Sequence, residues 1–237
     1  MKILLLGYGK MGKTIEKILL ERNHTTVKAD NIEERDQILP AEIDVAIEFS
    51  MPSAAAENIT WCLNNNIPVL SGTTGWLDKA DKIEKLCQSK KGTFFYASNY
   101  SIGVNLFFQL NEKFAQVMSK FEQYSVSIEE IHHTMKLDSP SGTAITLAEK
   151  IMAGTKNKNW VENVEEEGKL TIYSKREGDV PGTHTVLYKS IEDSIELKHT
   201  AHSRQGFAMG AVLIAEWLKD QKGVLSMKDF LGELMNA

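Results

Sequence analysis

Cysteine is scarce in this 237-residue chain, which has only Cys62 and Cys87. Neither sits in a C-x-x-C pair, and two thiols are too few for a metal framework. Both fall in helix-patterned stretches and read as buried thiols. Long apolar runs are missing as well. The N-terminal run Ile3–Leu6 is shorter than the roughly 7–15 residues of a signal-peptide core, and no stretch approaches the roughly 18 apolar residues of a membrane span. Excess positive charge is the third absence. The net charge is -5, whereas a nucleic-acid binder usually carries a basic face. These absences together imply a cytoplasmic protein with neither a membrane nor a nucleic acid as partner.

What is present is ordinary for a globular protein: 42% hydrophobic and 25% charged residues. Strand-like and helix-like segments alternate through the first hundred residues. Strands are expected at 2–6, 25–30, 44–49, 68–71 and 93–97. Helices are expected at 11–23, 54–65 and 78–90, with Pro52 and the hydroxyl of Ser53 at the start of the second. This alternation implies a parallel sheet with helices on both faces. Near residue 100 the pattern changes. A long helix over 103–120 precedes a half-buried strand at 125–132 and a helix from about Thr143. Strands follow at 169–176, 184–189 and 193–199, as expected for an open mixed sheet in an α+β domain. Helices at 207–219 and 227–235 close the chain, and the acidic run Glu165–Glu167 reads as a solvated loop.

Gly7-Tyr8-Gly9-Lys10-Met11-Gly12 is a G-x-G-x-x-G run. It follows a strand and opens a helix, and Asp30 ends the next strand eighteen residues beyond Gly12. In that setting it is a dinucleotide fingerprint, and the first sheet is expected to be a doubly wound, Rossmann-type one. Gly7 permits the tight turn, Gly9 lets the backbone approach a pyrophosphate, and Gly12 lets the helix pack closely. Free N–H groups at the helix start suit the phosphates. Asp30 suits the adenosine ribose hydroxyls and repels a 2′-phosphate, so the cofactor reads as NADH or NADPH with NADH favoured; Lys28 and Arg35 nearby soften that preference. Gly72-Thr73-Thr74-Gly75 and Ala97-Ser98-Asn99-Tyr100 each follow a strand's carboxyl end, where the remainder of a dinucleotide binds.

The segment Glu130–Ala144, E-I-H-H-T-M-K-L-D-S-P-S-G-T-A, holds the densest chemistry. His132 and His133 end a strand and project to opposite sides. With Lys136 and the helix start Ser141-Gly142-Thr143 they form a donor-rich pocket for a small dianion, carboxylates on the N–H groups and the lysine. Two alternatives stand beside this: histidines that fill a core, and a metal site, for which spacing supplies no third ligand although Asp138 and Glu130 are close.

The segment resembles the signature E-x-H-H-x-x-K-x-D-x-P-S-G-T-A of the 4-hydroxy-tetrahydrodipicolinate reductase (dihydrodipicolinate reductase) family. Other matches follow in order along the chain. Gly7–Gly12 resembles the family's fingerprint, one residue shorter here. Phe49-Ser50 is similar to its Phe-Thr pair, Gly72–Gly75 to its G-T-T-G loop, and Asn99–Asn105 to its N-F-S-x-G-V-N hinge. Gly182-x-His184-x-Val186 resembles its G-x-H-x-V strand, and His199 with Arg204 to Gly210 its closing motif.

The resemblance implies a reductase of lysine and diaminopimelate synthesis that converts 4-hydroxy-tetrahydrodipicolinate to tetrahydrodipicolinate with loss of water. It implies His132 as general acid or base and Lys136 as proton donor, a role that calls for neighbouring cations or burial to lower the lysine's pKa. His133, Gly142 and Thr143 would hold substrate carboxylates, with Ser141 beside them, and Phe49 would join the cofactor contacts. Asn31 stands where some members carry an arginine that grips the 2′-phosphate. The short stretch from Lys156 to Arg176 departs from members with a longer loop. The expected division is residues 1–100 and 206–237 as the dinucleotide-binding domain and 101–205 as the substrate-binding and oligomerisation domain, assembled as a homotetramer. Rival readings are an aspartate-dehydrogenase-like reductase and a nicotinamide-binding regulator without chemistry. The first lacks the H-H-x-x-K…S-G-T-A combination, and the second would be marked by loss of His132 or Lys136.

Overall fold

The computed structural model describes residues 1–203 and 205–236, with side chains described through residue 233; Arg204, named in the closing motif, lies outside the described residues. The chain divides into two compact units, one of residues 1–102 and 205–237 and the other of 103–204.

In the first unit the strands are β1 (Lys2–Leu6), β2 (Thr25–Ala29), β3 (Val45–Glu48), β4 (Val69–Ser71), β5 (Thr93–Tyr96) and β11 (Gly223–Leu225). They form one sheet in the order β11-β5-β4-β3-β1-β2, and every pairing is parallel. A parallel sheet is covered on both faces, so its central strands need apolar side chains in both directions; K-I-L-L-L and V-A-I-E supply them. The two faces carry separate cores. Ile3, Leu5, Ile47, Leu70 and Phe95 pack with α1 (Lys10–Glu21), α7 (Gln205–Leu218) and α8 (Met227–Asn236). Leu4, Leu6, Ala46, Val69 and Phe94 pack with α3 (Pro52–Asn64) and α4 (Ala80–Lys90). Cys62 and Cys87 are free thiols buried in that second core.

Three local features depart from the sequence reading. Ser53 is not a cap: Pro52 starts α3, Met51 is the N-cap, and no side chain bonds there. A short helix, α2 (Ile32–Asp36), follows β2 and is capped by Asn31, whose Oδ1 accepts from the Glu34 amide at 2.8 Å. The edge strand β11 has three residues, too few for a periodicity to show.

The second unit contains α5 (Ile102–Met118) from its second residue on, β6 (Ser125–His132), α6 (Gly142–Gly154), β7 (Trp160–Glu162), β8 (Leu170–Arg176), β9 (Gly182–Lys189) and β10 (Ser194–Ala201). Its sheet is mixed, in the order β10-β9-β6-β8-β7. Pairs β10–β9 and β6–β9 are antiparallel, while β6–β8 and β7–β8 are parallel. Ile128, Ile172, Val186 and Tyr188 point to the face covered by α5 and α6, meeting Phe107, Ala115, Leu147 and Ile151. On the opposite face Ile131 and Leu187 are half-buried, whereas Thr171, Thr183 and Thr185 are buried. No helix among the described residues is long and apolar enough to cross a membrane.

Candidate active site

In the first unit the strand order reverses direction between β1 and β3, and their carboxyl ends lead into Gly7 and Phe49. Crevices at such switch points take ligands. A cleft of about 400 Å³ opens here, lined by Gly7, Tyr8, Gly9, Asp30, Asn31, Phe49, Ser50 and neighbours. The three glycines have three distinct reasons. Gly7 has φ +93, and a Cβ there would lie 2.3 Å from the Phe49 carbonyl oxygen. A Cβ on Gly12 would lie 2.4 Å from the Gly7 carbonyl oxygen, so the helix can start this close to β1 only without a side chain. Around Gly9 there is open space, on the cleft side. The cradle fits a pyrophosphate on the α1 N-terminus; Lys10 is exposed and Met11 half-buried at that start.

Asp30 accepts a hydrogen bond from the Tyr8 amide at 2.6 Å, which holds its carboxylate at the cleft. The Tyr8 hydroxyl bonds to Glu16, which also pairs with Lys28 at 2.9 Å, and Lys28 sits over the Tyr8 ring, 4.7 Å from its centroid. Arg35 is buried, paired with Asp36 and Glu57 and bonded to Asn58. The two cations expected to soften the charge of Asp30 are thus already committed to other anions, and the Asn31 side chain is committed to capping.

Glu48 was not singled out in the sequence. It is fully buried at the end of β3 and gathers the loops around the cleft. It accepts from the Ser50 amide at 3.0 Å, from Ser71 Oγ at 2.6 Å and from Thr73 Oγ1 at 2.9 Å. Gly72 lies against the Phe49 ring, where a Cβ would come within 2.2 Å of the ring. Thr74 is exposed. Tyr100 is buried, its hydroxyl donating to the Ser71 carbonyl at 2.7 Å and its ring packed on Phe49; its side chain is thus core. Ala97 and Asn99 are half-buried and Ser98 is exposed after β5.

In the second unit, alternation along β6 puts Glu130 and His132 on the buried side and His133, half-buried, on the other. Glu130 is fully buried. The Ser141 amide donates to both of its oxygens at 3.1 Å, and Arg176 Nη1 lies at 3.2 Å. His132 Nδ1 is 3.3 Å from Glu130 Oε2, inside ion-pair reach but off the line of a good hydrogen bond. Burial alone would raise the Glu130 carboxyl; contacts from His132 and Ser141 outweigh it and bring it to about 2. His184 on β9 faces the same point, with Nε2 3.1 Å from Ser141 Oγ and its ring edge-on to His132 at 5.0 Å. Burial, with the His132 ring beside it, pushes the His184 imidazole down to about 3. It is therefore neutral at physiological pH.

Ser141 caps α6, accepting from the Ala144 amide, so the first amides of Gly142 and Thr143 lie in an uncommitted helix start. Gly142 is exposed and Thr143 half-buried. Lys136 Nζ contacts both Asp138 oxygens at 2.7 Å, which lowers the Asp138 carboxyl. Of the two conditions expected around Lys136, neighbouring cations or burial, the fold supplies partial burial, with the side chain 21% exposed, while its nearest charge is an anion.

Glu130, His132 and His184 offer ligating atoms within 4.8 Å of one another. That supplies a third ligand that spacing along the chain did not place. However, the Arg176 guanidinium and the Ser141 amide already fill the carboxylate, so the cluster fits a hydrogen-bonded network better than a divalent ion. The sequence reading missed the roles of Glu130, Arg176 and Glu48. The last two carry no local motif, and their partners lie on other strands.

The chain is similar to known proteins along nearly its whole length. The family model for the N-terminus of dihydrodipicolinate reductase matches residues 1–100, and that for its C-terminus matches 103–231. A 4-hydroxy-tetrahydrodipicolinate reductase of Christiangramia forsetii is 55% identical over 99% of both chains. One from Akkermansia muciniphila is 35% identical over 94% of both. Among solved structures, a dipicolinate-bound dihydrodipicolinate reductase from Paenisporosarcina sp. TG-14 superposes with a TM-score of 0.76. It is 22% identical, covering 97% of this chain and 98% of that one.

Proposed function

The chain belongs to the dihydrodipicolinate reductase family, and on that premise we propose that it reduces 4-hydroxy-tetrahydrodipicolinate to tetrahydrodipicolinate, with loss of water, using NADH or NADPH. The observation that carries this reading is the approach of buried His132 and of the helix start before Gly142 and Thr143 to one carboxylate, Glu130, which the Ser141 amide bonds and His132 Nδ1 faces at 3.3 Å. The helix start suits a substrate carboxylate, and His132 suits proton exchange with the reacting atoms. His133 and Lys136 join as substrate contact and proton donor. Lys136 enters this role bound to Asp138, so substrate must displace or share that carboxylate.

The cleft built by Gly7, Tyr8, Gly9, Lys10, Met11 and Gly12, with Asp30, Phe49, Gly72, Thr73, Thr74 and the backbone of 97–100, would hold the dinucleotide. Bound nicotinamide supplies the hydride. The chain's own contributions are orientation, charge placement and protons. NADH is favoured because Asp30 stands at the ribose end of the cleft while Lys28, Asn31 and Arg35 are committed elsewhere. Assembly as a homotetramer through the second unit is supported by its mixed sheet, one face of which α5 and α6 leave uncovered. A cytoplasmic setting is supported by the two free thiols.

A coupled assay with freshly made 4-hydroxy-tetrahydrodipicolinate tests the reading. Substrate-dependent oxidation of NADH or NADPH is expected, faster with NADH. Oxidation no faster than background with either cofactor overturns it.

A further inference from the structure

We propose that Glu130 is a positioning residue that selects the tautomer of His132 and locks its ring to the substrate-binding helix start. The proposal rests on the reductase reading above.

Glu130 is wholly buried, yet it is not a simple ion pair. Its two oxygens are shared among groups from several elements. The Ser141 amide at the start of α6 bonds to both. Arg176 at the end of β8 reaches one with Nη1, while its Nη2 donates to the Asp138 carbonyl at 2.7 Å. His132, two residues along β6, turns Nδ1 toward the other at 3.3 Å, within electrostatic reach though off hydrogen-bond geometry, and His184 Nε2 lies 3.7 Å from that same oxygen. One carboxylate therefore ties together the proposed acid–base residue, the carboxylate-binding amides and, through Arg176, the loop that carries Lys136.

The arrangement discriminates between the two ring nitrogens. A carboxylate only accepts, so it favours a proton on Nδ1 and leaves Nε2 as the exchanging atom. The other side of the ring agrees with this. Gly182 on β9 faces Nε2, and a Cβ there would lie 3.0 Å from that atom and cover it. The absent side chain keeps Nε2 clear. His184, kept neutral by burial and bonded to the Ser141 hydroxyl, adds no cation beside the ring.

Nitrogen-15 NMR of the His132 ring in the full chain, at a pH where the ring is neutral, reads the tautomer directly. The Nδ1–H form is expected, and a dominant Nε2–H form overturns the proposal whatever the activity. In Glu130→Gln the side chain still accepts from Ser141, but its amide can donate toward Nδ1, so a shift to the Nε2–H form is expected. kcat should fall about 100-fold, within the roughly 10²–10⁴ that a positioned general acid or base contributes, with the Kd for NADH unchanged. If Glu130→Gln loses thermal stability while kcat per folded molecule stays within about twofold of the parent, the residue is structural and the proposal fails. Gly182→Ala separates the two halves of the argument. Because Gly182 has φ +155, where a side chain is strained, kcat is read per folded molecule: it should fall at least about tenfold while the Nδ1–H tautomer stays in place, and retained activity overturns the assignment of Nε2. An inactive parent protein would refute the reductase reading instead, and the tautomer measurement on it would still decide this one.

Discussion

The proposed acid–base residue, His132, is a single buried imidazole. Replacing it with glutamine keeps a polar side chain and removes proton exchange. His132→Gln is expected to lower kcat by about 10²–10⁴, the usual share of general acid–base catalysis. The Kd for NADH, measured by fluorescence titration, should not change, since the proposed dinucleotide contacts belong to the other unit. Loss of NADH binding would refute the role. Asp30 is the matching residue in the first unit. Its carboxylate is held by the Tyr8 amide rather than by a cation, so its charge is directed at the cleft. Asp30→Ala is expected to weaken NADH about tenfold and NADPH less, in line with roughly 1.5–3 kcal/mol for a charged hydrogen bond. Equal losses in the two titrations would show that Asp30 does not discriminate.

Single elements of the fold carry constraints that their residues do not show alone. Helix α7 comes from the end of the chain but packs in the first unit, where Arg22 meets Glu216 with two bonds of 2.7 Å. Gly210 on that helix touches the Tyr100 backbone, and a Cβ would fall 1.8 Å from the Tyr100 carbonyl oxygen. Tyr100 in turn holds the end of β4 through Ser71. Overpacking typically costs about 1–3 kcal/mol and occasionally more. With backbone on one side and a packed helix on the other, Gly210→Ala should reach at least the upper end. A denaturant titration showing less than about 1 kcal/mol of destabilisation would contradict this close approach.

On the scale of the whole molecule, the buried ionisable cluster is expected to make the second unit acid-labile. His184 has a folded-state pKa pushed down to about 3 from 6.5. The unfolded chain therefore binds that proton first, and stability is lost as pH falls from about 6.5 toward about 3. Glu130 is also depressed, from 4.5 to about 2. Its contribution is complete above about 4.5 and disappears as pH falls toward about 2. The two losses add in the same direction, each worth a few kcal/mol at about 1.4 kcal/mol per pKa unit. Thermal unfolding followed by circular dichroism should show Tm falling steadily below pH 6.5, and the fall above pH 4.5 should shrink in His184→Gln. A flat Tm between pH 6.5 and 4.5 in the parent would show that His184 is protonated when folded.

The sequence by itself determined the alternating first half, the glycine turn with its distant aspartate, and the His-His-Lys segment before a helix start. Each of these is local: a strand period, a backbone that must lack Cβ, or neighbours along one strand. Tertiary structure alone decided which charges remain available. Lys28 and Arg35 read as free cations near Asp30 until Glu16 and Glu57 pair with them. Lys136 reads as a cation among cations until Asp138 turns back on it. Glu48 looks like one acidic residue at a strand end, and Glu130 becomes the centre of a network only when β8, β9 and α6 converge on β6. Periodicity and motif spacing report what one segment does. The partners of a buried carboxylate come from strands far apart in the chain, and sheet order rather than sequence order brings them together.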